Sequence, residues 1–307
     1  MIATVVLFVL SIAVLVFASD KFIGAAEIIG RSFGISSFII GVTILAFGTS
    51  LPELSTSIFA VINGESDIVL GNVVGSNITN ILLVLGLSVV FTKTLNLDYD
   101  VMDVDMPLLF LSAFLLWFAL RDGEFTLFEA LLFIGAFAVF LINSIKNSPK
   151  GDSERPKAAT RDYITLLITG ILVYFGAEYT VKSLSQIATG IGIPASIISV
   201  TALALGTSLP EIVVSISATR RGDHAMAMGN ILGSNIFNTY AVMAIPSFFG
   251  TLIVPQEILS FHLPFMIVVT ALMGIICLSK KISRWEGVML LIFYAFFIGE
   301  SVKGNLF

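Results

Sequence analysis

The two residues best placed to do chemistry are carboxylates set in the same apolar words. Glu53 closes the run Ala46-Phe47-Gly48-Thr49-Ser50-Leu51-Pro52-Glu53, and Glu211 closes Ala204-Leu205-Gly206-Thr207-Ser208-Leu209-Pro210-Glu211. Each run puts two hydroxyls, a helix-breaking proline and an acid inside a long apolar stretch. An acid at the centre of a bilayer helix costs about 2.5–3.5 kcal/mol on insertion scales. A chain that bears this cost twice is read as handling a cation. Pro52 and Pro210 also free backbone oxygens, because a proline inside a helix removes the bond to the carbonyl four residues back. The freed carbonyls are those of Gly48 and Gly206, with Ala46 and Ala204 in the same distorted turns. Non-helical backbone at membrane depth survives only where protein or a watery cavity satisfies it. Carbonyls, hydroxyls and a carboxylate together make an all-oxygen environment, which suits hard cations such as Na⁺ and Ca²⁺, the latter taking about 6–8 oxygens.

A second motif accompanies each run. Gly71-Asn72-x-x-Gly75-Ser76-Asn77-x-x-Asn80 returns as Gly229-Asn230-x-x-Gly233-Ser234-Asn235-x-x-Asn238. Ser76 and Asn80 are four apart and share a helix face, as do Ser234 and Asn238. Glycines four apart let helices approach closely in membranes. Each feature has a plainer explanation: a proline can be only a kink, and Ser or Thr can bond its own helix. The glycines can be only packing, and Asn77 and Asn235 only interhelical glue. Duplication of the whole set favours an ion site, with the Ser/Asn faces completing an oxygen cage around the acids.

The elements that must position these groups are membrane helices. Of 307 residues, 57% are hydrophobic and 12% charged, and the mean hydropathy is +1.01. A soluble domain carries about twice that charged fraction. Apolar runs predict ten transmembrane helices, at 2–29, 36–61, 69–91, 106–120, 126–145, 163–187, 195–219, 226–249, 262–279 and 287–302. The first run lacks the positive leader of a signal peptide and has a mid-chain counterpart, so it is expected to be a helix of the mature protein. Cys277 is the only cysteine, which excludes internal disulfides and cysteine-built metal sites.

Glu53 and Glu211 stand 158 positions apart, and the same offset pairs Phe17 with Phe175, Gly34 with Gly192, Ser57 with Ser215 and Gly64 with Gly222. A period this long marks a duplicated half rather than a solenoid. The expected organisation is a first five-helix repeat over 1–145, a polar linker over 146–162 and a second five-helix repeat over 163–307. Five is odd, so the halves cross in opposite senses, an inverted repeat of the kind found in secondary transporters. Lys and Arg set the orientation. With the N-terminus outside, inside loops hold Arg31, Lys93, Lys146, Lys150, Arg155, Lys157, Arg161, Arg220, Arg221, Lys280, Lys281 and Arg284, against Arg121 and Lys303 outside. Both termini are therefore expected outside a cell membrane, with the linker in the cytoplasm.

Other charged groups read as scaffolding. Asp20 and Glu178 are repeat mates near the ends of apolar cores and are expected to anchor at the interface, with Glu27 a turn or two beyond Asp20. Asp98, Asp100, Asp103 and Asp105 read as a solvated loop, His224 as structural, and Trp117 and Trp285 as interfacial belts.

The pair GTSLPE and GNxxGSNxxN, repeated in two halves, resembles the cation/Ca²⁺ exchanger superfamily, specifically its prokaryotic Na⁺/Ca²⁺ exchanger branch. The likeness covers nearly the whole chain. It implies a Ca²⁺ site built from Glu53, Glu211, Thr49 and Thr207. It further implies flanking Na⁺ sites using Ser50, Ser76, Ser208, Ser234 and the carbonyls of Ala46 and Ala204, with Asn80 and Asn238 lining the centre. Many prokaryotic relatives and the K⁺-dependent exchangers carry Asp where this chain has Asn238, a departure that argues against K⁺ dependence. The proton-coupled branch resembles the chain less well, since its second motif has an acid where Ser76 and Ser234 stand.

The implied function is antiport of Na⁺ against Ca²⁺ by alternating access, electrogenic if three Na⁺ replace one Ca²⁺. One Ca²⁺ would neutralise two carboxylates, whereas an empty, doubly charged site would resist crossing; protons should compete for the same acids. The expected partners are Ca²⁺, Na⁺ and protons within a lipid bilayer, with no nucleic acid and no cofactor. Duplication completes a site within one chain, so the expected functional unit is a monomer. A proton/Ca²⁺ antiporter is the alternative. A channel is less consistent with the duplication, and a hydrolase lacks a base near Ser50 or Ser208.

Overall fold

Apolar stretches punctuated by glycine, proline and charge become helices throughout the computed structural model, which describes residues 2–97, 105–146, 156–190 and 206–304. Helix α1 spans Ile2–Ser32. Helices α2, Ser37–Thr49, and α3, Leu51–Ile62, meet at 41°. The break falls at Ser50, with φ −91° and ψ 9°. Pro52 explains both sides of it. Its ring disrupts the helix before it, yet at the second position of α3 its missing N–H is no loss. Helix α4 spans Asp67–Thr92, α5 Asp105–Ala119, α6 Leu127–Lys146 and α7 Thr160–Gly190. Helix α8, Leu209–Arg220, repeats the Pro52 arrangement, with Ser208 at φ −84° and ψ 2° before it. Then follow α9, His224–Phe237, α10, Ile258–Cys277, and α11, Arg284–Gly304.

All ten sequence segments thus carry helix among the described residues, and the edges that are described move by a few residues. The segment 226–249 ends early because Pro246 converts it to a 3₁₀ turn, Pro246–Phe248. The segment 262–279 begins sooner, on a π turn at Ile258–His262. Two further π turns, Asn80–Val84 and Asn238–Val242, occupy equivalent places in the repeat. The seventh segment is described only from residue 206, so Ala204 lies outside the described residues, as do 98–104 of the acidic loop and 147–155 of the linker.

Two short antiparallel ribbons tie distant loops together. Strand β1, Thr94–Asn96, pairs with β4, Lys281–Ser283, with Leu95 opposite Ile282. Strand β2, Glu124–Phe125, pairs with β3, Leu252–Ile253, with Glu124 opposite Ile253. Moving the first register by 158 positions reproduces the second.

Among the described residues, five helices are long and apolar enough to cross a membrane: α1, α4, α10, Leu127–Ser144 and Thr160–Ile187. The bent pair α2–α3 makes a sixth. Helix α4 is mostly enclosed, whereas α1, α6 and α7 expose most of their apolar length. Side chains such as Phe17, Leu131, Leu167 and Phe296 are more than half exposed. An apolar surface this extensive is unsuited to water and suited to lipid. Helices α1 and α7 lie against each other, close enough that a Cβ on Gly176 would sit 3.1 Å from Leu15 Cα. At the centre, α2 and α9 meet backbone to backbone. A Cβ on Gly229 would lie 2.2 Å from the Phe38 carbonyl oxygen, and one on Gly233 2.4 Å from that of Val42. The expected close approach is therefore present at the second copy of the glycine pair. The repeat mates of Phe38 and Val42, residues 196 and 200, lie outside the described residues.

Candidate functional site

Both carboxylates sit in the first turn of a helix that starts at a proline. Glu53 is the third residue of α3 and Glu211 the third of α8. The positive end of each helix dipole thus lies at the acid, while α2 ends in carbonyls before the break, a negative end that favours a cation. Both glutamates are completely buried. Taking an unpaired charge out of water is expensive unless an opposite charge or hydrogen bonds compensate it.

The two breaks interlock. Ser50 Oγ donates to Glu211 Oε1 at 2.8 Å, placing the second acid against the first break. Thr49 Oγ1 donates to Asn230 Oδ1 at 3.3 Å and lies 3.5 Å from Ser234 Oγ. The repeat mates do the same: Thr207 Oγ1 donates to Asn72 Oδ1 at 3.4 Å and lies 3.3 Å from Ser76 Oγ. Every one of these contacts joins one half of the chain to the other. Ala46 already accepts from Ser50 N–H at 3.0 Å, and Thr49 Oγ1, whose one proton also faces Asn230, lies 3.4 Å from the same carbonyl, leaving it less free than the proline argument alone suggests.

Asn72 and Asn230 were not among the expected site residues, yet they brace it. Asn72 Nδ2 donates to Ser57 Oγ and to the Glu53 carbonyl, both at 3.0 Å. Asn230 Nδ2 donates to Ser215 Oγ at 3.0 Å. Each amide thereby holds the acid-bearing helix of its own half with its nitrogen and a threonine of the other half with its oxygen. The signal was in the spacing. Asn72, Ser76 and Asn80 fall at i, i+4 and i+8, one stripe along α4, and Asn230, Ser234 and Asn238 repeat it on α9.

Several site atoms are buried without a hydrogen-bond partner among the described residues: both oxygens of Glu53, Oε2 of Glu211, Ser208 Oγ, and both amide ends of Asn80 and Asn238. Buried polar atoms are nearly always paired, so a concentration of unpaired oxygens at one place is chemically suited to receiving a cation. The donor set is two carboxylates with hydroxyl and amide oxygens, the chemistry of Ca²⁺ and Na⁺ rather than of softer metals. Asp20 and Glu27 behave as scaffold: Asp20 pairs with Arg221 at 3.4 Å and Glu27 with Arg31 at 2.9 Å. His224 Nδ1 accepts from Asn96 N–H at 3.1 Å, a structural role. Asn77 links α4 to the turn after α9, donating to Thr239 Oγ1 at 2.8 Å, whereas Asn235 bonds back to Ile231 of its own helix.

Comparison with known proteins follows the same outline. The family model described as sodium/calcium exchanger protein matches residues 3–146 and 162–302. The sodium/calcium exchanger MaX1 of Methanosarcina acetivorans is 33% identical, over 94% of this chain and 95% of its own length. The inner membrane protein YrbG of Escherichia coli is 28% identical, over 97% of this chain and 96% of its own. A solved structure of the sodium-calcium exchanger NCX_Mj, soaked with Na⁺ and Sr²⁺, superimposes with a TM-score of 0.85 at 32% identity, covering 97% of this chain and 98% of that one.

Proposed function

This chain belongs to the sodium/calcium exchanger protein family and is an antiporter of those two ions; we propose that it works by alternating access between two inverted five-helix halves, with Glu53 and Glu211 as the shared cation ligands. The observation that carries the site is the cluster of buried, unpartnered oxygens around two interlocked helix breaks. Ca²⁺ would take both carboxylates with Thr49 and Thr207. Na⁺ would take the flanking oxygens of Ser50, Ser76, Ser208 and Ser234 with the Ala46 and Ala204 carbonyls, and Asn80 and Asn238 would line the centre.

The ribbons support the inverted arrangement. With ten crossings and an outside N-terminus, β1 and β4 both fall in cytoplasmic loops and β2 and β3 both fall outside. The offset that maps one ribbon onto the other therefore exchanges the two faces of the membrane. Further contacts respect the same sides: Asn96 with His224 inside, and Ser66 Oγ with the Ile253 N–H outside. Positive residues concentrated in the inside loops fit both termini outside and the linker in the cytoplasm.

Charge sets the mechanism. Two ionised carboxylates repel each other and resist leaving water, so an empty site crosses poorly. One Ca²⁺ cancels their charge and lets the occupied site exchange sides. Three Na⁺ in its place would leave one positive charge, making exchange electrogenic. Two carboxylates without a third acid at Asn238 favour independence from K⁺.

Ca²⁺ uptake into Na⁺-loaded proteoliposomes, diluted into Na⁺- and K⁺-free buffer, tests this reading. Uptake should require internal Na⁺, respond to an imposed membrane potential and vanish in Glu53→Ala and Glu211→Ala. Uptake driven equally well by a proton gradient without Na⁺ would assign proton coupling instead.

A further inference from the structure

We propose that the Glu178–Lys182 pair forms the rim of the approach by which cations reach Thr207, with Glu178 drawing them in and Lys182 opposing them. The inference rests on the ion-site reading above and concerns how that site is reached. A cavity of about 280 Å³ lies between α3 and α7, lined by Pro52, Thr56, Glu178, Val181, Lys182 and Thr207 among others. Thr207 is 9% exposed, whereas Thr49, Glu53, Ser50 and Glu211 are at 0%. The ion site therefore meets open space at Thr207. In the first half the matching Thr49 is fully buried and borders no such cavity among the described residues, and Phe22 packs on neighbouring Gly48, where a Cβ would lie 2.5 Å from Phe22 Cζ.

Glu178 and Lys182 supply the only charges among the described residues lining this cavity, paired at 2.5 Å one helical turn apart. Their side chains are 31% and 60% exposed, so both meet solvent at the mouth. A carboxylate at a low-dielectric mouth raises the local concentration of cations, and an ammonium beside it lowers it. An arriving divalent cation competes with Lys182 for Glu178, and Lys182, tethered to the same helix, can swing aside without leaving it.

The test uses membrane vesicles of known sidedness, with external Ca²⁺ varied and uptake read whatever ion drives it. Glu178→Gln should raise the half-saturating Ca²⁺ about three- to fivefold, and Lys182→Gln should lower it by a similar factor, with maximal rates unchanged. Both shifts should shrink when choline chloride raises the ionic strength. Shifts of the same sign, or none in vesicles that take up Ca²⁺, would overturn the proposal. A second measurement needs no transport. Thr207→Cys should react from outside with a cationic thiol reagent, more slowly when Glu178→Gln is added, while Thr49→Cys stays unreactive. Equal labelling of both cysteines would remove the approach itself, and Na⁺-independent uptake with intact labelling would overturn only the exchange reading.

Discussion

The two halves share their chemical words but not their state. In the first half, Asp20 reaches across to Arg221, the residue that follows α8, Phe22 covers Gly48, and Thr49 is fully buried. In the second, the mate Glu178 pairs with Lys182 on its own helix, and Thr207 borders a cavity. The acids differ too: Glu211 receives a hydrogen bond from Ser50, while Ser208 Oγ and both carboxylate oxygens of Glu53 have no partner among the described residues. The departures trace to a few positions where the repeat is broken. Phe22 is matched by Thr180, Gly24 by Lys182, and Arg221 by Asn63. Gly24 leaves room for the Arg221 guanidinium, whose Nη2 would lie 3.5 Å from a Cβ there. Asymmetric walls around matching motifs suit the alternating access proposed above, in which both sides cannot be open together. The Asp20–Arg221 link joins α1 to the turn after α8, so α1 cannot slide past that turn without breaking it. The Glu178–Lys182 link lies wholly within α7.

The largest expected effect tests whether the two acids remain equal despite their different partners. Glu53→Gln and Glu211→Gln should each lower Ca²⁺ uptake at least about 100-fold, since one carboxylate cannot neutralise a divalent ion in a buried site. Retention of near-normal uptake by either variant would show that one half carries the site alone. Protons should compete at the same place, so acidification should raise the Ca²⁺ needed for half-maximal uptake; insensitivity to pH would separate the carboxylates from binding.

Next in size is the packing that holds the breaks together. Gly229→Ala and Gly233→Ala would press a methyl group onto the backbone of α2, and overpacking of this kind costs about 1–3 kcal/mol. Thermal unfolding in detergent should fall accordingly. Gly64→Ala, in a turn with φ +81° and open space around it, should lose only the backbone preference, about 1 kcal/mol. Comparable losses at all three would mean that α2 and α9 are not in backbone contact.

These contrasts show what could be read without coordinates. The oxygen set, the breaks at Pro52 and Pro210 and the helical segments were legible because local chemistry produces them. Proline inside a helix removes a backbone hydrogen bond at its own position, and repeated words announce a repeated role. The braces Asn72 and Asn230 were overlooked although their spacing was visible, because the neighbouring glycines offered packing as a sufficient explanation. The ribbons could not be read at all. Strands of two or three residues carry no periodicity, and their partners lie more than a hundred residues away. The asymmetry was hidden for a different reason: matching halves by identity draws attention to what is equal, and the difference between open and closed sides lives in Phe22, Gly24, Lys182 and Arg221, which do not match.

The smallest expected effect probes that asymmetry most directly. Asp20 and Arg221 are partly exposed, with side chains 51% and 38% accessible, so solvent screens their attraction and the pair is worth at most about 1 kcal/mol. Asp20→Asn should leave ion affinity unchanged, because Asp20 touches neither the site nor the cavity at Thr207. It should instead shift the balance between the two access states by up to about fivefold. That shift is measurable as faster labelling of Thr49→Cys from the cytoplasmic side and slower labelling of Thr207→Cys from outside. The charge-reversed pair, Asp20→Arg with Arg221→Asp, should restore the original labelling rates. Labelling unchanged by Asp20→Asn would show that Phe22 alone seals the first half, and that the ion pair rides on a closure made by packing.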